Sequence, residues 1–297
     1  MHISKPVYTL IVGALSLTIP PLTQAARTPW PIRHAQNGVF AGIGYDEQRY
    51  QEAMNAVPVD SESGGLTVYT VGLSHIGRRD GDLYESLRLT AAFGATHYQG
   101  NTALGLPAQG STTNRITAAD GRLGLVIDDL WRQDHDTVLL PYIGAGFYRG
   151  VRGVNPSTGN PGSETYTDGH LGIGVGVGYA IDRRLVLTLH ALTGYTMGAQ
   201  MIFTEPVAYD AATGALESTR LTEPLGDRPY SVLGFTIHYR VDPYLEIAFA
   251  VRRTTWSAAG SAPIPIAGAP GEAPGVTRIP GSQSTETTML LEAATPF

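Results

Sequence analysis

From His170 to Ile181 the chain alternates with period two. Gly172, Gly174, Gly176 and Gly178 fall on one side, and Leu171, Ile173, Val175, Val177, Tyr179 and Ile181 on the other. A helix repeats every ~3.6 residues and cannot sort residues this way, whereas successive side chains of a strand point to opposite faces. The run is therefore a strand with one apolar face and one nearly bare face. A phosphate-binding glycine loop is excluded, because that motif needs a tight turn and then a helix, and here the alternation continues unbroken. The same period recurs downstream. Leu185, Leu187 and Leu189 alternate with Arg184, Val186, Thr188 and His190, while Leu233, Phe235, Ile237 and Tyr239 alternate with Gly234, Thr236, His238 and Arg240. Leu245, Ile247, Phe249 and Val251 alternate with Glu246, Ala248, Ala250 and Arg252.

A soluble sandwich of two sheets also alternates, so length and connectivity decide between the two. Segments 83–100 and 183–203 each read as one strand, far beyond the usual ~5–6 residues. Short turns at 78–82, 128–136, 181–183 and 241–244 alternate with long loops near 53–64, 101–114, 153–167, 204–228 and 257–283. Four short turns and five long loops imply about ten strands with both ends on the short-turn side. They are expected at 38–52, 65–77, 83–100, 115–128, 137–152, 164–181, 183–203, 228–241, 244–257 and 283–297. Merging or splitting strands would give about eight or twelve instead. The expected class is all-β, a transmembrane antiparallel up-and-down β-barrel, since only a closed sheet lets strands satisfy their backbone in lipid.

Composition agrees. Charged residues are only 15% of the chain and no cysteine is present, so a disulfide framework and a cysteine metal site are excluded. A formal net charge of -6, without Lys/Arg clusters, argues against nucleic acid as partner. Residues 1–25 read as a secretory signal: Lys5 precedes an apolar stretch, Pro20 and Pro21 break it, and Thr23-Gln24-Ala25 offers a small-x-small cleavage site. Residues 26–37 are then a periplasmic lead-in, and 38–297 the barrel.

Signal, alternating strands, absence of cysteine and terminal Phe297 together resemble the small outer-membrane β-barrel proteins of Gram-negative bacteria. The resemblance implies a bacterial outer-membrane location, contact with outer-membrane lipids, and recognition of the last strand by the barrel-assembly machinery. In that family apolar residues alternate back from a terminal aromatic. Phe297, Ala293, Leu291 and Met289 fit that pattern, whereas Thr295 and Pro296 depart from it. Tyr45, Trp131, Tyr195, Phe203, Phe235, Tyr239, Tyr244 and Phe249 are candidates for interfacial girdles.

Parity places ionisable side chains in the lumen: Asp46, Arg88, Arg122, Arg152, His190, His238, Glu246, Arg252 and Glu292, with Asp120, Asp128, His170, Arg184 and Glu286 in the same set. Mixed signs suit either a polar plug of paired charges or a narrow selective pore; for about ten strands the plug is favoured. The one catalytic candidate is Asp168-Gly169-His170, expected near the outer end of its strand, where the carboxylate could orient the imidazole as a base. The pair resembles the Asp-x-His of omptins, outer-membrane proteases with ten-stranded barrels, in which it faces two aspartates at the rim. Here the Asp-x-Asp pairs, Asp80/Asp82 and Asp134/Asp136, fall on short turns at the opposite end. No histidine of the mature chain is followed two positions later by serine, so the His-x-Ser pair of outer-membrane lipid A deacylases is missing. No cofactor or metal is expected. The functional expectation is a non-enzymatic envelope protein, engaged in surface interaction or limited small-solute passage through a mostly filled lumen; its alternative is an omptin-like hydrolase at the rim.

Overall fold

The computed structural model describes residues 30–54, 57–101, 107–128, 136–156, 162–209, 216–258, 260, 264–266, 275–277 and 281–297. The signal segment, Trp131, Asp134 and the side chain of Phe203 lie outside the described residues. A short helix, α1 (Trp30–Gln36), precedes β1 (Gly38–Met54), β2 (Val57–Ile76), β3 (Leu83–Asn101), β4 (Pro107–Leu125), β5 (Thr137–Pro156) and β6 (Gly162–Ala180). There follow β7 (Leu185–Tyr209), β8 (Leu216–Pro224), β9 (Pro229–Asp242), β10 (Leu245–Ala258), the short pair β11 (Ile264–Ile266) and β12 (Gly275–Thr277), and β13 (Gly281–Pro296).

β1 to β7 pair antiparallel in sequence order, β9 pairs with β7 and β10, β10 with β13, and β13 returns to β1, with Gly38 opposite Pro296 and Ala53 opposite Gly281. β8 and β9 lie in succession along β7, β8 on its outer part and β9 on its inner part. They share one place in the wall, so the sheet closes as a ten-stranded up-and-down barrel. β11 and β12 form a separate hairpin between β10 and β13.

Burial is inverted relative to a water-soluble protein. Ile173 is 70% exposed on the outer face, whereas Leu140 is 1% exposed on the inner. The outward residues of β1 run Val39, Ile43, Tyr45 and then Glu47 and Arg49; those of β10 run Leu245, Ile247, Phe249, Val251 and then Arg253. An apolar belt thus gives way to a polar band toward the loop end. On β7 the belt extends from Leu185 to Tyr195, which at ~3.4 Å per residue and a tilt of ~40° is about 26 Å tall, the height of a lipid-facing band. Tyr45, Tyr195, Tyr239, Tyr244 and Phe249 are exposed on this outer face, and Phe235 is partly so.

At the turn end the strand bounds fall within three residues of the expected positions, but most strands extend further at the loop end. β2 begins at Val57 instead of 65, β4 at Pro107 instead of 115, and β8 lies within the segment expected as loop. The cause is physical. Beyond the belt the outward positions are Ser61, Ser63, Ser111 and Thr113, so hydrophobic alternation stops while the hydrogen-bonded ladder continues.

Short turns at the other end share one device, an Asp carboxylate accepting backbone N–H groups. Asp82 accepts from Arg78 and Arg79 at 2.8 and 2.9 Å, Asp182 from Arg184 and Leu185 at 2.6 and 2.8 Å, and Asp242 from Tyr244 at 2.7 Å. The N–H groups of Arg184 and Leu185 hold the Asp182 carboxyl below the usual carboxylate range.

Candidate functional site: a closed lumen

The glycine face of β6 points inward, and its bare surface is occupied by neighbouring side chains. A Cβ at Gly174 would strike the Tyr142 ring, one at Gly176 would press on Leu140, and one at Gly178 would press on Ile32 of α1. The segment expected as a periplasmic lead-in therefore includes a helix that enters the turn end of the barrel and seats Ile32, fully buried, against Val138, Leu140 and Ala180. Polar contacts pin it. Gln36 Nε2 donates to Thr188 Oγ1 at 2.9 Å, Asn37 donates to the Ile76 carbonyl at 3.2 Å and accepts from its N–H, His34 Nε2 lies 3.3 Å from the Pro243 carbonyl, and Arg240 lies over the Trp30 ring at 4.1 Å.

Above the helix the lumen is crossed by ionic groups at successive levels. Arg88 pairs with Glu292, and Glu246 takes His238 Nδ1 at 2.8 Å and His34 Nδ1 at 3.6 Å. Arg252 makes a bidentate pair with Asp120 at 2.9 and 3.2 Å and donates to the Tyr230 hydroxyl at 3.1 Å. Next come Asp46, accepting from Thr288 at 2.8 Å, and Glu286, accepting from Gln48 at 2.9 Å and Tyr148 at 3.4 Å. At the loop end Arg152 binds both Glu62 and Glu164, and Asn114 and Thr96 complete the bonding of Glu62. The Tyr50 and Tyr98 rings lie 5.0 and 5.7 Å from this guanidinium. An ion in a low-dielectric wall is tolerated when a partner and hydrogen bonds replace its water; the Arg252 and Arg152 levels supply both, while Asp46 and Glu286 have hydrogen bonds alone.

Asp46, Arg88, Arg122, His190, His238, Glu246, Arg252 and Glu292 all line one inner cavity of about 160 Å³, and Arg152 lines a second of about 80 Å³ nearer the loop end. Two of the wider set lie elsewhere. Arg184 is exposed in the 181–184 turn, because β7 starts one residue later, and Asp128 follows the end of β4 beside the 77–82 turn, where its N–H donates to Asp80. Asp168 and His170 are midway along β6 and inside the barrel, not at the rim, because β6 continues outward to Gly162. His170 Nε2 faces Asp120 at 3.2 Å, and its ring stacks on Tyr230 at 4.3 Å. Asp80, Asp82 and Asp136 are at the turn end.

Sequence reasoning missed Tyr84, Tyr142, Tyr148, Tyr166 and Tyr230, which fill much of the lumen. For Tyr142 and Tyr148 the signal was present, since both share the parity of Gly144 and Gly146 on β5. Glu62 was hidden because its segment has no apolar alternation. Among the described residues no three His, Asp or Glu are arranged to hold a metal ion.

These features define a transmembrane β-barrel of the outer-membrane type. The outer-membrane protease OmpT of Escherichia coli has a similar fold, with a TM-score of 0.57 at 9% identity over 92% of this chain and 98% of OmpT. The translocator domain of the Neisseria meningitidis autotransporter NalP aligns over 90% of this chain and 91% of its own, at 13% identity and a TM-score of 0.38. No family model and no curated protein matches the sequence. At such identities the likeness to OmpT is one of fold alone; the chain has the architecture of outer-membrane β-barrels.

Proposed function

We propose that the protein is exported by its N-terminal signal to the bacterial outer membrane, where it is a closed, non-enzymatic barrel. In this reading it is assembled through its last strand, seated in outer-membrane lipid by the apolar belt, and active through its polar strand extensions and loops, with at most limited passage of small solutes. One observation carries this: α1 and the Arg–carboxylate pairs stand across the lumen at successive levels from the turn end to the loop end and leave cavities of only about 160 and 80 Å³ between them. A general porin would need a continuous hydrated path. The alternative of a rim hydrolase lacks comparable support, because His170 is engaged by Asp120 and Tyr230 within the lumen.

The test combines fractionation with single-channel recording of the mature protein in planar bilayers. Recovery with outer membranes, gel mobility that changes on heating, and conductance far below that of a general porin are expected. Large steady conductance, or recovery in the soluble periplasm, would overturn the proposal.

A further inference from the structure

Among the arginines that line the inner cavity, Arg122 alone makes no ion pair with a described residue. Arg88 is matched by Glu292, Arg252 by Asp120, and Glu246 by two histidines. Arg122 has no carboxylate within ion-pair distance among the described residues. The groups that face it are the Tyr84 and Tyr142 hydroxyls and another cation, Arg252. Its guanidinium lies 5.2 Å from the Tyr142 ring centroid, a contact that suits a cation but does not neutralise it.

His190 stands on the same cavity wall. Arg122, Arg252 and Arg88 all bear on it, and so does the carboxylate of Asp120. Its Nε2 is buried and has no hydrogen-bond partner among the described residues. The acids on the remaining wall serve other groups: Asp46 and Glu286 face each other and Arg252, and Asp168 faces His170. Arg122 and His190 thus stand unpaired on the arginine-bearing side of a cavity that six carboxylates also line, inside a wall whose outer face is lipid. A buried arginine in such a place calls for a counter-charge.

We propose that the inner cavity is a binding site for one small oxyanion, a carboxylate or phosphate, held by Arg122 with the His190 Nε2–H as second donor. The guanidinium presents donors in a planar fork that matches two oxygens of either group. The cavity, about 160 Å³, takes such an anion with several waters, since one water needs only ~10–15 Å³ of comparable space. The closed sheet keeps lipid headgroups out of the lumen, so the anion comes from solution. The inference does not depend on whether the lumen conducts.

The test uses the mature full-length barrel refolded in zwitterionic detergent, titrated calorimetrically with inorganic phosphate and with acetate at constant ionic strength set by chloride. Saturable one-site binding of either probe is expected, about tenfold or more weaker in Arg122→Gln and preserved in Arg122→Lys, the scale of one charge-assisted hydrogen bond in a buried site. His190→Gln, which keeps an N–H donor, should bind more tightly than His190→Leu. If Arg122→Gln fails to show heat-modifiable folding, the two His190 variants decide. Absence of saturable binding in the unaltered protein, equal affinity in Arg122→Gln, or equal affinity in both His190 variants would overturn the proposal.

Discussion

His170 Nε2 lies 3.2 Å from Asp120 Oδ1 on a strand two places away in the wall, and the same carboxylate grips Arg252 with both oxygens. Asp168, two residues from His170 on the same strand, accompanies the histidine into the lumen without being its hydrogen-bond partner. The arrangement belongs to a plug: one acid ties together β4, β6 and β10.

Asp120→Asn should therefore be among the most damaging changes in the lumen. It leaves Arg252 buried without its counter-charge, at a cost of about 3–5 kcal/mol. Pairing it with Arg252→Met should recover a large part of that loss, since the two groups are coupled. Equilibrium urea unfolding in lipid vesicles measures both; additive losses in the double variant would contradict the coupling.

His170→Ala should lower stability by about 1–3 kcal/mol, through one lost hydrogen bond and the Tyr230 stacking. Assays of the purified barrel with peptide and phospholipid substrates should reveal no hydrolysis to lose. A hydrolytic activity that vanishes in this variant at unchanged stability would restore the enzymatic alternative.

Val175, on the belt face of β6, should resist a charge. Val175→Arg is expected to cost about 2–4 kcal/mol at mid-membrane, whereas Ser111→Arg, outward on the polar extension of β4, should be close to neutral. The comparison needs only unfolding midpoints of the two variants in the same vesicles, and equal effects would refute the assignment of the belt.

Gly234 faces His190 across the β7–β9 ladder, and a Cβ there would meet Cε1 and Nε2 of the ring. Gly234→Ala should cost about 1–3 kcal/mol by overpacking. His190→Ala in the same chain should relieve part of it. Thermal melting of the two single variants and the double variant provides the check; a double variant no better than Gly234→Ala would show that the ring is not what crowds the site.

Ile32→Asp places a charge where α1 is fully buried against the β6 glycine face and should drive the helix out of the barrel mouth. Conductance in planar bilayers should rise while heat-modifiable migration persists, because the wall closes without α1. Unchanged conductance would mean that the upper ionic levels alone close the lumen.

The sequence by itself determined the class of fold, the alternation of two faces along each strand, and where most strands begin or end on the turn side. These are local properties. Period-two parity is written in neighbouring residues such as Gly174 and Val175, and Asp82, Asp182 and Asp242 of three short turns bind N–H groups two to four residues away. The outer extensions of β2, from Val57, and of β4, from Pro107, were not legible, since polar residues on both faces carry no alternation for sequence to show. The docking of Ile32 onto Gly178, the choice of Asp120 over Asp168 as partner of His170, and the lack of an ion-paired carboxylate for Arg122 among the described residues were decided only by the tertiary structure. Each depends on the register at which distant strands meet when the sheet closes on itself, and parity assigns a side chain to a face without saying who stands across from it.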